Sequence, residues 1–160
     1  MMRRCAAFLL AFLLLPAVLS GCTGKPGQNL KDSFLSSFND FLQSASRLAL
    51  TADSRLAGER TLGDDSYTGS YQAVYEDFHG TEYLFGGTAL SRSNGSDLSV
   101  TFELSVCSGT ARLFLSQSGT QTILADGTES GFCQIYLTGG DAYIGIEGED
   151  FDGSLSLSVR

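Results

Sequence analysis

No arrangement of catalytic residues can be recognised in this sequence. His79 is the only histidine, so a metal site built from several histidines is excluded, and a Ser-His-Asp triad would depend on that one residue. No serine lies in the Gly-x-Ser-x-Gly pattern of a hydrolase nucleophile. The acid pairs Asp64-Asp65 and Glu76-Asp77 cannot flank one glycosidic bond, because neighbouring side chains on a strand point to opposite faces. The sequence therefore predicts a protein that is not an enzyme.

A row of tyrosines offers a candidate binding surface. Tyr67, Tyr71 and Tyr75 share one parity, so on a strand their rings would line one face. Tyrosine presents a flat apolar ring with a polar rim, on which a sugar ring can stack. The same rings could instead cover the sheet where a helix packs, and the absence of tryptophan favours that structural alternative. The row is the candidate ligand-binding site.

Four carboxylates crowd into a short segment near the C-terminus, namely Glu147, Glu149, Asp150 and Asp152. Close carboxylates repel each other unless water or a cation screens them, and oxygen ligands of this kind suit calcium. The EF-hand spacing is absent, and exposed acidic turns are common. The segment is expected to be either a solvated turn or a structural calcium site. No other cofactor is expected.

The N-terminus has the pattern of an export signal. Two arginines precede the apolar run 6–15, which is too short to span a bilayer. Residues 19–22 then read Leu-Ser-Gly-Cys, which resembles the lipobox of bacterial lipoproteins. The resemblance implies that residues 1–21 are removed as a signal peptide and that Cys22 is acylated. It also implies a lipid anchor in the bilayer, on the extracytoplasmic face of the cell membrane. An ordinary secretory signal is the alternative.

Two cysteines, Cys107 and Cys133, remain outside the N-terminal region. In an exported protein such a pair is most simply a disulfide. It would close a loop of about 25 residues and stabilise the fold by about 3 kcal/mol. Cys107 is out of phase with the apolar face of its strand, so the bridge would need a bend or bulge there. Two free thiols are the alternative.

The charge distribution excludes nucleic acid as a partner. The chain has 10 basic and 18 acidic residues, with a net charge of −8. Residues 61–160 alone contain three basic and 14 acidic residues. A body of this charge is repelled by phosphate backbones.

An amphipathic helix is predicted for residues 29–50, after a flexible lipidated tether at residues 22–28 and before a connector at residues 51–63. A helix lying on a membrane usually carries lysine and arginine along its polar face. This one carries mainly serine, asparagine and aspartate, which favours packing on the domain that follows. Its apolar stripe recurs at helical spacing and comprises Leu30, Phe34, Phe38, Phe41, Ala45 and Leu48.

Residues 64–160 change to a period of two, which is typical of strands with one wet face. The cleanest alternation runs from Leu98 to Val106. The prediction is a mainly β fold: an antiparallel β-sandwich, jelly-roll-like, of about eight strands, preceded by the one helix. Turn signals separate the strands at Ser93-Asn94-Gly95, Ser108-Gly109, Ser118-Gly119, Asp126-Gly127, Gly139-Gly140 and Asp152-Gly153.

The tyrosine-rich run 65–88, with the helix and the lipobox, is similar to small, functionally uncharacterised lipoproteins of Gram-positive bacteria. The resemblance covers most of the chain after residue 21. It implies the architecture and no activity. We expect a binding module for a glycan or another component of the cell envelope. The alternative is a structural or accessory lipoprotein that acts through contact with another protein.

Overall fold

The structure is a computed structural model that describes residues 50–89 and 92–160. The predicted signal peptide, tether and helix, apart from Leu50, lie outside these residues. A 3-10 turn at Asp53–Arg55 precedes six strands, and no helix of the described residues is long and apolar enough to cross a membrane. The strands are β1 (Glu59–Leu62), β2 (Gly69–Ala89), β3 (Asp97–Gln117), β4 (Thr120–Asp126), β5 (Glu129–Tyr136) and β6 (Gly140–Val159).

All strands pair antiparallel in one hydrogen-bonded sheet. The order is β1-β2-β6-β3-β4, and β5 also pairs with β3. β6 pairs with β3 along its whole length, so β4 and β5 share the other edge of β3. There β5 pairs with residues 97–104, and β4 with residues 112–117.

The three long strands are irregular at their centres. Register shifts interrupt β2 between Tyr75 and Gly80, and β3 between Val106 and Thr110. These positions divide the sheet into two parts. The first half contains β1, β5 and residues 69–75, 97–106 and 153–159; the second half contains β4 and residues 80–89, 110–117 and 140–148.

The two halves of the sheet fold over each other. Tyr71 and Glu82 would lie about 36 Å apart on a straight strand at about 3.3 Å per residue. The Tyr71 hydroxyl instead lies 2.8 Å from Glu82 Oε2. Apolar side chains from both halves, including Tyr75, Phe85 and Ile146, belong to one core cluster. The inward face of each half is therefore buried against the other.

The prediction of a mainly antiparallel β fold is confirmed, but the expected count of about eight strands is too high. The predicted turns at residues 93–95, 118–119, 126–127 and 139–140 do separate strands. The predicted turn signals at Ser108-Gly109 and Asp152-Gly153 lie inside β3 and β6 instead. There the chain bulges without reversing, because each long strand stays paired on both sides of the irregularity.

Candidate functional site

The tyrosine row is not a stacking platform. Tyr67, Tyr71 and Tyr75 share one face of the chain, as predicted, but this face is the core face. Their exposed fractions are 2%, 0% and 1%. A sugar ring cannot reach a buried aromatic ring, so the prediction that these three residues bind a ligand is wrong.

The hydroxyls of Tyr71 and Tyr75 instead form hydrogen bonds with a buried carboxylate, that of Glu82. Tyr71 and Tyr75 each donate to Glu82 Oε2 at 2.8 Å, and the two hydroxyl oxygens lie 3.2 Å apart. The backbone N–H of Ala57 donates to Glu82 Oε1 at 2.6 Å. Burial raises the pKa of both tyrosines above its usual range. Glu82 is 2% exposed and its two oxygens are satisfied, so the cluster is a structural joint between the two halves of the sheet and the connector.

Tyr67 belongs to a second buried polar cluster near the loop that joins β2 to β3. The guanidinium of Arg92 lies 5.2 Å from the Tyr67 ring centroid and forms two bonds, of 2.9 and 2.7 Å, to Asp65 Oδ2. Burial is the main reason that the pKa of Tyr67 rises to about 12. Like the first cluster, this buried cluster of polar side chains stabilises the fold.

The predicted disulfide is wrong, because Cys107 and Cys133 are free. Cys133 pairs with Val100 on the neighbouring strand, whereas Cys107 lies seven residues further along β3. That offset corresponds to about 23 Å along the strand, far beyond the Cα separation that a disulfide spans. The bulge near Cys107 does exist, but it leaves this side chain exposed.

The acidic segment does not gather its four carboxylates. Glu147 lies 3.8 Å from the guanidinium of Arg112, and Glu149 is exposed. Asp152 accepts hydrogen bonds from the Ser108 hydroxyl at 2.5 Å and from the backbone N–H of Asp77 at 2.8 Å. These two hydrogen bonds hold the pKa of Asp152 below its usual range, and the bond from Ser108 has the larger effect. Glu147 and Asp152 therefore have different polar neighbours, and Glu149 is exposed.

Asp150 does join a small cluster at the centre of the sheet. His79 Nε2 lies 2.8 Å from Asp150 Oδ1 and 3.8 Å from Asp77 Oδ1. One ligand atom from each of the three side chains falls within 4.8 Å of the others, and all three are exposed. One imidazole with two carboxylates suits a first-row transition ion better than calcium, which takes about six to eight oxygen ligands. Calcium at the acidic segment stays a prediction.

The outward side of the first half carries a broad polar surface, which we call the hydroxyl face. One row crosses five strands through the pairings of Thr61 with Ser70, Ser70 with Ser158, Ser158 with Thr101, and Thr101 with Phe132. The neighbouring row, about 6.6 Å away, comprises Glu59, Gln72, Ser156, Glu103 and Ser130. Hydroxyl and amide side chains therefore repeat in both directions, with the carboxylates of Glu59 and Glu103 in the second row.

Two exposed aromatic rings border the hydroxyl face on β5. Phe132 and Tyr136 are 64% and 66% exposed, and their pairing partners on β3 are Thr101 and Asp97. Because they are four residues apart on one strand, their side chains point the same way, about 13 Å apart. Polar side chains lie next to these two rings across the sheet. Val74, which is 71% exposed, lies at the far edge of the face.

The hydroxyl face has two shallow depressions. One, of about 530 Å³, lies at the end nearest the loop before β3, and Ser70, Asp97 and Ser158 contribute to its lining. The other, of about 550 Å³, includes Gln72 and Ser156 in its lining. Extended polar ligands can lie along such a surface, with donors and acceptors available on either side.

Sequence reasoning missed Phe132 and Tyr136. Ile135 and Leu137 are buried, and the two aromatic residues are out of phase with them. A signal was present, because β5 carries large apolar side chains on both faces. An edge strand that exposes aromatic rings departs from the usual alternation.

Comparison of the sequence with protein-family models and with curated proteins gives no match. The predicted lipidation site, Cys22, lies outside the described residues.

Proposed function

We propose that this protein is a non-catalytic binding module that holds a glycan chain of the cell envelope on its hydroxyl face. The observation that carries the proposal is the pair of exposed rings, Phe132 and Tyr136, on the same side of β5. They stand beside rows of hydroxyl and amide side chains. Apolar ring faces and dense polar partners together match the two surfaces of a sugar.

The spacing of the rings suits an extended polymer better than a single sugar. Two stacking positions about 13 Å apart can engage separate units of one chain. Between them lies Gln134, whose pairing partner on β3 is Ser99. Each aromatic contact contributes roughly 0.5–1.5 kcal/mol beyond area burial, so two contacts acting together give a weak but selective site.

The electrostatics of the face also favour a neutral ligand. Residues 61–160 are strongly acidic, yet Thr61, Ser70, Ser158 and Thr101 form an uncharged row. An anionic polymer would meet the repulsion of the surrounding carboxylates, whereas a neutral glycan would not. Among the described residues, we find on this face no histidine or cysteine that could act as a base or nucleophile.

The remaining parts of the proposal concern architecture and location. We propose that the folded sheet is a jelly-roll-like β-sandwich, supported by the burial of side chains from both halves in one core. We also propose that the N-terminal segment anchors the protein by an acylated Cys22 on the extracytoplasmic face of the membrane. The lipobox-like residues 19–22 support this anchor.

A second candidate function is contact with an envelope protein. In the described part of the chain β5 pairs with β3 on one side, and its other edge has no strand beside it. Between Ser130 and Tyr136 this edge carries no charged side chain. Uncharged edges accept further strands, so a partner's strand could add here and cover Phe132.

The test is co-sedimentation of the protein with a panel of insoluble polysaccharides, including peptidoglycan, chitin and xylan. We expect one of them to bind, and we expect Phe132→Ala and Tyr136→Ala each to weaken binding about threefold to tenfold. Val74→Ala is the matched control, because it removes an exposed apolar side chain from the same face without removing a ring. Equal binding by all three variants would overturn the proposed site.

Envelope protein binding gives a different pattern. In that case the wild type binds no polysaccharide, and Phe132→Lys abolishes capture of one envelope protein while Val74→Lys does not.

A further inference from the structure

Two buried apolar residues lie outside the core of the folded sheet. Leu50 and Phe114 are 5% and 2% exposed. Neither belongs to the cluster of buried side chains between the two halves. Phe114 alternates along β3 with Leu113 and Leu115, which face the core, so its ring points to the outward side of the second half. A side chain on an outward face is buried only if something covers it.

An apolar strip surrounds Phe114 on this outward side. Pairing places Tyr83, Gly145, Phe114 and Ile123 in one row across four strands, and we call this row the aromatic strip. The Tyr83 and Phe114 rings meet edge to face, with centroids 5.9 Å apart. A Cβ on Gly145 would lie 2.7 Å from Phe114 Cζ, so the ring lies over the glycine. Ile123 is 45% exposed.

The chain enters the described structure beside this strip. The backbone N–H of Thr51 donates to the Tyr83 carbonyl at 3.1 Å, and the backbone N–H of Tyr83 donates to Thr51 Oγ1 at 2.9 Å. Arg60 reinforces the contact with bonds to the carbonyls of Thr51 and Leu84 at 2.8 and 3.0 Å. Leu50 is therefore fixed next to Tyr83, at one end of the strip.

We propose that residues 35–49, which lie outside the described structure, cover the aromatic strip with the apolar face of their predicted helix. The segment leads directly into Leu50, which lies at one end of the strip. Its stripe includes Phe38, Phe41 and Leu48. Ten residues of helix, from Phe38 to Leu48, span about 15 Å. Four strands at about 4.8 Å spacing span about 14 Å, so the lengths match.

The composition of the segment and the charge of the body disfavour a lipid surface as the cover of the aromatic strip. The polar positions of the segment are mainly serine, asparagine and aspartate, whereas helices that lie on membranes use lysine and arginine there. The strongly acidic body would also be repelled by an anionic membrane. The strip is on the second half of the sheet and the hydroxyl face is on the first, so this assignment does not depend on the proposed function.

A double-mutant cycle on the full-length chain tests the assignment. Phe38→Ala and Phe114→Ala would each be measured alone and together by urea unfolding at a constant concentration of non-ionic detergent. We expect each single change to shift the unfolding equilibrium about 100-fold, as for other large-to-small changes of buried rings. We expect the change in the unfolding equilibrium constant of the double variant to be at least about fivefold smaller than the product of the two single changes. If Phe114→Ala does not fold, Ile123→Ala replaces it.

The matched control pairs Phe38→Ala with Phe132→Ala, which removes an exposed ring from the other outward face. For this control pair, the change in the unfolding equilibrium constant of the double variant should equal the product of the two single changes within about twofold. Independent effects of Phe38→Ala and Phe114→Ala would overturn the proposal. So would a Phe38→Ala variant of unchanged stability that loses binding to phosphatidylglycerol vesicles, which would place the face on lipid. If the wild type is a dimer in sedimentation velocity and Phe114→Ala is a monomer, the strip is covered by a second copy of the chain, which would also overturn the proposal.

Discussion

Tyr71 and Glu82 lie eleven residues apart on the same strand, yet the tyrosine hydroxyl donates to the carboxylate over 2.8 Å. The contact exists because β2 bends at its central bulges and returns over its own first half. Tyr75 and the backbone of Ala57 bind the same carboxylate. One buried side chain thus joins both halves of the sheet and the connector that leads to the N-terminal segment.

Replacing this carboxylate should destabilise the fold. In Glu82→Gln an amide group takes the place of one oxygen, so a tyrosine hydroxyl or the Ala57 N–H loses its acceptor. We expect the free energy of unfolding to fall by about 1.5–3 kcal/mol, the range for hydrogen bonds to charged groups. Urea unfolding measures it. Glu129→Gln, an exposed change at the start of β5, should stay within about 0.5 kcal/mol. Equal effects of the two substitutions would contradict the structural role of Glu82.

The buried tyrosines predict a loss of stability in alkali. Tyr67 has a pKa of about 12 in the fold against an ordinary value of 10.0, mainly because of burial. Between these values the unfolded chain has lost the proton and the folded chain retains it, so the free energy of unfolding falls as the pH rises. The slope is up to about 1.4 kcal/mol per pH unit for each such tyrosine. Unfolding measured from pH 9 to pH 12 tests this. Tyr67→Phe should flatten the curve, and an unchanged slope would contradict the assignment.

The two thiols should react at different rates. Cys107 is exposed, whereas Cys133 is half-buried and its burial raises the pKa of its thiol. Because the thiolate is the reactive form, a maleimide should label native protein at Cys107 first and at Cys133 slowly. Mass spectrometry of timed samples measures both. Protein that takes up no label until a reductant is added would instead reveal a disulfide.

Calcium should not stabilise this domain more than magnesium does. Asp152 is already bonded to Ser108 and to the backbone of Asp77, and Glu147 lies near Arg112, so the acidic segment does not form a cage of oxygen ligands. We expect equal Tm values in millimolar calcium and millimolar magnesium. A site with a Kd ten times below the calcium concentration would stabilise the fold by about 1.4 kcal/mol. A calcium-specific rise in Tm that disappears in Asp150→Asn would show that the ion binds there.

The alternation of apolar residues predicts most strands but not how far each continues. Leu98 to Val106 lies in β3 as expected, yet β3 runs on through Ser108 and Gly109. Gly109 has a φ of +70°, a conformation typical of glycine in turns and in bulges alike. Only the pairing with β6 on the far side decides between the two, and this pairing is a long-range contact that local sequence does not contain.

The site was harder to predict than the strands. Shared parity correctly placed Tyr67, Tyr71 and Tyr75 on one face, but parity does not say which face is buried. That depends on the return of β2, which brings Glu82 to the tyrosine hydroxyls. The exposure of Phe132 and Tyr136 is the converse case, since local sequence does not say which apolar side chains a sheet leaves on its outward face.

The position of β6 constrains when the protein can fold. This last strand of the chain lies between β2 and β3 and supplies a partner to both. A nascent chain that has not yet delivered residues 140–159 has two long strands without their shared neighbour, and all their contacts with β6 span a large sequence separation. The sheet therefore assembles only after residues 140–159 have been synthesised. A chain that emerges from its N-terminal side would leave β2 and β3 unpaired along this shared edge until residues 140–159 arrived.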